Sequence, residues 1–139
     1  MANKAQHGPS HAPADRAQRL GELKANGYRS RSVKEELRQN LIRQLQAGAP
    51  RFEGIVGFED TVVPQVENAI LSGQDIIFLG ERGQAKTRLA RTLPTLLDEW
   101  LPVMAGCEIN DDPLKPICFK CRSTIEERGD DTPIDWLPR

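Results

Sequence analysis

Gly80-Glu81-Arg82-Gly83-Gln84-Ala85-Lys86-Thr87 follows the apolar run Ile76-Ile77-Phe78-Leu79 and precedes a helical pattern that begins at Arg88. Over residues 75–79 the apolar residues, Ile76 to Leu79, are continuous rather than alternating, which predicts a parallel strand covered on both faces. Strand, glycine-containing loop and helix in that order, with Lys-Thr at the end of the loop, form the pattern of a phosphate-binding loop. The amides of such a loop and of the helix start offer N–H donors to phosphate oxygens. Lys86 adds a charge within reach of the β- and γ-phosphates, and the Thr87 hydroxyl suits Mg²⁺. A nucleoside triphosphate is therefore expected on residues Gly80 to Thr87. The usual pattern has a second glycine where Ala85 stands, and Gly83 supplies one flexible point inside the loop. The competing reading is an ordinary strand-to-helix turn that happens to contain Lys-Thr.

Downstream of the loop, Leu89, Leu93, Leu96, Leu97 and Trp100 share a broad apolar helical face, which Pro94 should kink or shorten. Beyond Pro102, Val103-Met104-Ala105 reads as a second short strand, and residues 110–113 and 126–135 are polar and turn-rich. Upstream, the apolar loop Phe52-Glu53-Gly54-Ile55-Val56-Gly57-Phe58-Glu59-Asp60 leads into a helix. Its buried side is predicted to be Val62, Val63, Val66, Ala69 and Ile70, ending at Ser72-Gly73. Pro64 falls in its first turn, where a missing N–H costs little. Further upstream, Ser32 and Glu35 form a capping box. Val33, Leu37, Leu41 and Leu45 then recur every four residues until Gly48 and Pro50 stop that helix. The chain shows no internal repeat.

Residues 1–31 are read as a disordered basic arm, 32–49 as an amphipathic helix and 50–139 as the folded body. Residues 1–27 hold almost no large apolar side chains, too few to offset the entropy of ordering. The arm and helix through Arg51 carry ten Lys/Arg against four Asp/Glu, and the remainder nine against sixteen. Such an arm docks on the acidic body or on a neighbouring subunit, or else meets nucleic acid or a membrane surface. Aromatic residues are scarce and not interleaved with the basic ones, which argues against nucleic acid bound by stacking. His7 and His11 lie four apart, but Pro9 and Pro13 disrupt the helix on which they could share a metal. No segment approaches the roughly 20 apolar residues needed to cross a bilayer, and the N-terminus lacks the apolar core of a signal peptide. A cytoplasmic protein without a disulfide framework is expected from these features and from the odd number of cysteines.

Three blocks together resemble the start of an AAA+ ATPase of the magnesium-chelatase-like, MoxR-type branch. They are residues Phe52 to Asp60, Ala69-Ile70-Leu71-Ser72-Gly73, and the stretch from Ile76 through the loop to Arg88-Leu89. The run Ala105-Gly106-Cys107-Glu108-Ile109-Asn110-Asp111-Asp112-Pro113 is similar to the segment after the loop helix in the same ATPases, so the resemblance spans roughly residues 50–135. It implies an α/β fold, the incomplete parallel-sheet core of a P-loop NTPase. It places Ile55 and Val56 around the adenine, and ATP with Mg²⁺ on the loop. It also implies a homo-oligomeric ring in the full-length protein, in which ATP turnover remodels a protein client or loads it with metal.

The family hydrolyses ATP with a Walker B strand ending in Asp-Glu, with sensor residues, and with arginine fingers from a neighbouring subunit. Only 53 residues follow Lys86, and none forms an apolar run ending in Asp-Glu. The chain is accordingly expected to be an amino-terminal portion that binds ATP without hydrolysing it, because positioning and electrostatics supply nearly all of phosphoryl-transfer catalysis. The alternative, from a different class, is a non-enzymatic module that binds a partner and is stabilised by zinc through its cysteines.

Cys118-Phe119-Lys120-Cys121 is a C-x₂-C pair, with Cys107 upstream as a candidate third ligand. Two thiolates at that spacing can bind one Zn²⁺, and a closed structural site wants four ligands. A thioredoxin-like redox pair would need Cys118 at a helix N-terminus, a geometry that Pro116 permits. Simple reduced thiols are the third possibility. The sequence leaves all three open.

Overall fold

The computed structural model describes residues 16–50, 52–58, 60–80 and 86–139. Its helices are α1 (Leu20–Ala25), α2 (Val33–Ala47), α3 (Val62–Leu71), α4 (Lys86–Thr92) and α5 (Phe119–Arg128), and its strands are β1 (Trp100–Met104) and β2 (Ile134–Pro138). These elements divide into two units. One combines the described residues up to Ser30 with Trp100–Pro138, and the other comprises Arg31–Glu99 together with Arg139.

In the first unit β1 and β2 pair antiparallel, with Pro102 opposite Trp136 and Met104 opposite Ile134. A two-stranded ribbon has only edges, which is where Pro102 and Pro138 can sit without breaking a ladder. The segment before α1 lies along the start of β2. The Ile134 amide donates to the Gln18 carbonyl at 3.0 Å, and the Leu20 amide to the Thr132 carbonyl at 2.9 Å. The Trp136 indole donates to the Ala17 carbonyl at 2.8 Å, and the Arg16 guanidinium lies over both Trp100 and Trp136, 4.7 and 5.0 Å from the ring centres. Ala17, Leu20 and Leu23 are buried. Residues 16–31 therefore differ from the disordered arm expected there. Two leucines, a stacked cation and a run of backbone hydrogen bonds order what composition alone left without a core. The first fifteen residues, His7 and His11 among them, lie outside the described residues.

In the second unit the Ser32 hydroxyl accepts from the Glu35 amide while the Glu35 carboxylate accepts from the Ser32 amide, the capping box read from the sequence. Gly48 ends α2 at φ +63°, a left-handed cap that favours glycine. Leu41, Phe52, Ile55, Val66, Ile70, Leu89 and Leu96 make the core, with Leu37, Leu45, Val62 and Val63 packed against it. Val33, assigned to the same stripe, is 58% exposed. The buried side of α2 is also polar. Glu36 accepts from the Asp98 amide at 2.7 Å and pairs with Arg139, while the Asn40 amide donates to the Leu96 carbonyl at 2.7 Å.

Two expectations need correction here. The helix after the loop does not reach Trp100: it ends at Thr92 and tightens into a 3₁₀ turn over Leu93–Leu96, with Pro94 in that turn. Pro94 has no N–H to extend the α ladder. Residues 75–79 form no strand and pair with no described segment. The described fold is mixed α/β, and its one sheet is the antiparallel β1–β2 pair rather than a parallel core.

Candidate functional site

After β1 the chain reverses through two residues of positive φ, Gly106 at +68° and Asn110 at +51°. The Cys107 amide donates to the Met104 carbonyl and the Asn110 amide to the Cys107 carbonyl, both at 3.2 Å, which holds Cys107 on the turn. Cys118 is the residue before α5, and Cys121 lies in its first turn. A three-residue step along a helix start brings both thiols to one side. The three sulfurs lie within 4.8 Å of one another. A tetrahedral ion with Zn–S bonds of about 2.3 Å would draw them to a mutual spacing of about 3.8 Å, so little movement separates this cluster from a metal site. The three cysteines are placed where they could hold a metal such as zinc.

Asp111 organises the cluster, and sequence reasoning passed over it as part of a polar turn. It is buried, and one carboxylate oxygen accepts from the Ile117 and Cys118 amides at 2.9 and 2.8 Å. The other accepts from the Asp112 amide at 3.0 Å, and the Asp111 carbonyl accepts from the Met104 amide at 2.9 Å. One residue thus ties the end of β1 to the loop before α5. Next to it, Asp112 accepts from the Leu114 amide at 2.8 Å and from the Ser30 hydroxyl. The signal in the sequence was Asn110-Asp111-Asp112-Pro113, but nothing in its composition distinguishes a buried clamp from a solvated turn.

The environments of the thiols differ. Backbone N–H donation from Asp111, reinforced by that from Ile109 and outweighing partial desolvation, lowers the pKa of Cys107. Burial, with its neighbours' thiols adding to the effect, pushes Cys121 up to about 12. A thiolate is therefore favoured at Cys107 and disfavoured at Cys121 until a cation arrives to compensate it.

Of the residues predicted for nucleotide, Lys86 is the first residue of α4, and its ammonium donates to the Gly80 carbonyl, joining the two ends of the loop. Glu81, Arg82, Gly83, Gln84 and Ala85 lie outside the described residues. Thr87 is exposed on the helix. Ile55 and Lys86 both line a cleft of about 180 Å³, with Phe58, Ile77, Phe78 and Leu79 among its other walls. Sites for whole small molecules occupy about 300–1,000 Å³, so this cleft has room for a ring system only. Val56 is 80% exposed and is not among the lining residues. The structure therefore brings Ile55 to Lys86 and leaves Val56 apart.

Comparison with protein-family models, with curated proteins and with solved structures yields no match for this chain. Among the described residues, no helix is long and apolar enough to cross a membrane.

Proposed function

We propose that the unit formed by residues 31–99 is the nucleotide-binding part of an ATPase of the magnesium-chelatase-like AAA+ type. The observation that carries this assignment is the single cleft that Ile55 and Lys86 both line. The adenine of ATP enters the apolar cleft, its phosphates extend to Lys86 and the loop, and Thr87 ligates the accompanying Mg²⁺. In a ring of such subunits, turnover would serve to remodel a protein client or load it with metal. Turnover would further require carboxylates that hold Mg²⁺ and the attacking water, so the assignment made to this unit is nucleotide binding.

Calorimetric titration of the chain with Mg-ATP tests this assignment. Lys86→Ala removes a charge-assisted contact of about 1.5–3 kcal/mol, so affinity should fall tenfold or more. Equal affinity in the two proteins would remove Lys86 from the site.

The cysteine cluster favours a second reading. Three sulfurs within 4.8 Å suit a zinc ion that stabilises the first unit as a non-enzymatic, partner-binding module. The two readings concern different units and can hold together.

A further inference from the structure

We propose that a zinc ion on Cys107, Cys118 and Cys121 keeps its fourth position open to an external imidazole or thiolate donor carried on an apolar group. This inference rests on the zinc reading above and goes beyond it in assigning the site a ligand. Structural zinc is closed by four protein ligands, whereas three protein ligands leave a position for an exchangeable one. Among the described residues no fourth His, Cys, Asp or Glu joins the three sulfurs.

Glu108, next to Cys107, is exposed and does not join the sulfur cluster, and the two carboxylates that follow, Asp111 and Asp112, are already engaged. Both oxygens of Asp111 accept backbone N–H groups, and those of Asp112 accept the Leu114 amide and the Ser30 hydroxyl. Recruiting either one would strip part-buried amides of their acceptors and release the loop that positions Cys118. Three thiolates on Zn²⁺ leave one net negative charge, which a neutral imidazole completes without adding to it.

The surroundings suit an apolar carrier. Ile117 and Phe119 flank Cys118 in the chain and are 71% and 83% exposed, and Ile109, two residues beyond Cys107, is 58% exposed. Large apolar side chains left in water beside a metal cluster offer contact area to whatever carries the fourth donor. Lys120 and Arg122, on either side of Cys121, add positive charge that tolerates an anionic thiolate there.

The test uses the reduced full chain loaded with Co²⁺ in place of zinc. Sulfur-to-cobalt charge transfer reports the thiolates, and the d–d bands report the fourth ligand. Titration with imidazole should shift the d–d bands saturably, with 2-mercaptoethanol as the thiol arm. 4-Phenylimidazole should reach half-saturation at a concentration roughly five- to tenfold lower than imidazole, because its ring buries apolar area. Phe119→Ser should narrow that gap.

Tetrahedral cobalt bands that no added donor moves would overturn the open position while leaving the zinc reading intact. In that case, a change in the bands on His7→Ala or His11→Ala would identify an internal fourth ligand. Equal half-saturation by imidazole and 4-phenylimidazole would overturn the apolar carrier. If neither Co²⁺ nor Zn²⁺ binds stoichiometrically, the zinc reading itself fails, and the fourth position with it.

Discussion

Chemistry in this chain concentrates on a few residues whose surroundings differ more than their types suggest. The three cysteines are equivalent in the sequence, yet Cys107 receives backbone N–H groups while Cys121 is buried against thiols. The thiolate is the nucleophile, so a lowered pKa raises reactivity at neutral pH and a raised one suppresses it. In metal-free, reduced protein given a short pulse of iodoacetamide at pH 7–8, Cys107 should be modified well ahead of Cys121. Lowering the pH through the Cys107 pKa should slow its labelling, and Cys121 should stay nearly unlabelled up to about pH 10. Peptide mass spectrometry reads both, and Cys121 labelling ahead of Cys107 would contradict the assigned environments. At this scale the sequence disclosed the donors but not what aims them. Cys-x₂-Cys was visible as a ligand pair, whereas Asp111, Glu36 and Asn40 are polar residues whose burial depends on contacts distant in the chain. No local pattern marks such residues in advance.

At the scale of elements, legibility followed the strength of the local signal. Helix α2 was readable from both ends because its capping box and its glycine cap act within a few residues of the backbone they satisfy. Helix α3 was readable from its apolar spacing, and Pro94 correctly implied that the helix after the loop would be cut short. Strand β2 was missed. Ile134-Asp135-Trp136-Leu137-Pro138 follows a polar, turn-rich stretch, and it becomes a strand only by pairing with β1 thirty or more residues earlier. Helix α1 was missed for a similar reason, since Leu23 in a basic arm gains its core partly from Ile134 and Trp136, distant in the chain. Residues 75–79 show the converse: strong apolar character does not make a strand without a partner. Ile77 and Leu79 are 81% and 87% exposed there. The capping box provides a direct check on the account of α2. Ser32→Ala should lower stability by about 1 kcal/mol, and Ser32→Asp should retain most of it. Denaturant unfolding followed by circular dichroism measures the difference, and no loss in the alanine variant would show that the cap contributes little.

The whole molecule comprises two units with separate chemistry. Residues 31–99 carry the cleft and Lys86, and the unit built from the N-terminal segment with residues 100–138 carries the sulfur cluster. The sequence suggested a single body from residue 50 onward. It could not reveal that the chain leaves one core near Trp100 and enters another, because the apolar face predicted for one long helix runs straight through that point. The assignment of nucleotide to the second unit is the central claim, and it depends on where an adenine ring rests. Photolabelling of the full chain with 8-azido-ATP and Mg²⁺, followed by peptide mapping, tests it most directly. Label should appear in peptides containing Ile55–Phe58 or Ile76–Leu79, be displaced by excess ATP, and fall about tenfold or more with Lys86→Ala. Label confined to other peptides, or equal labelling of the Lys86→Ala protein, would contradict the account.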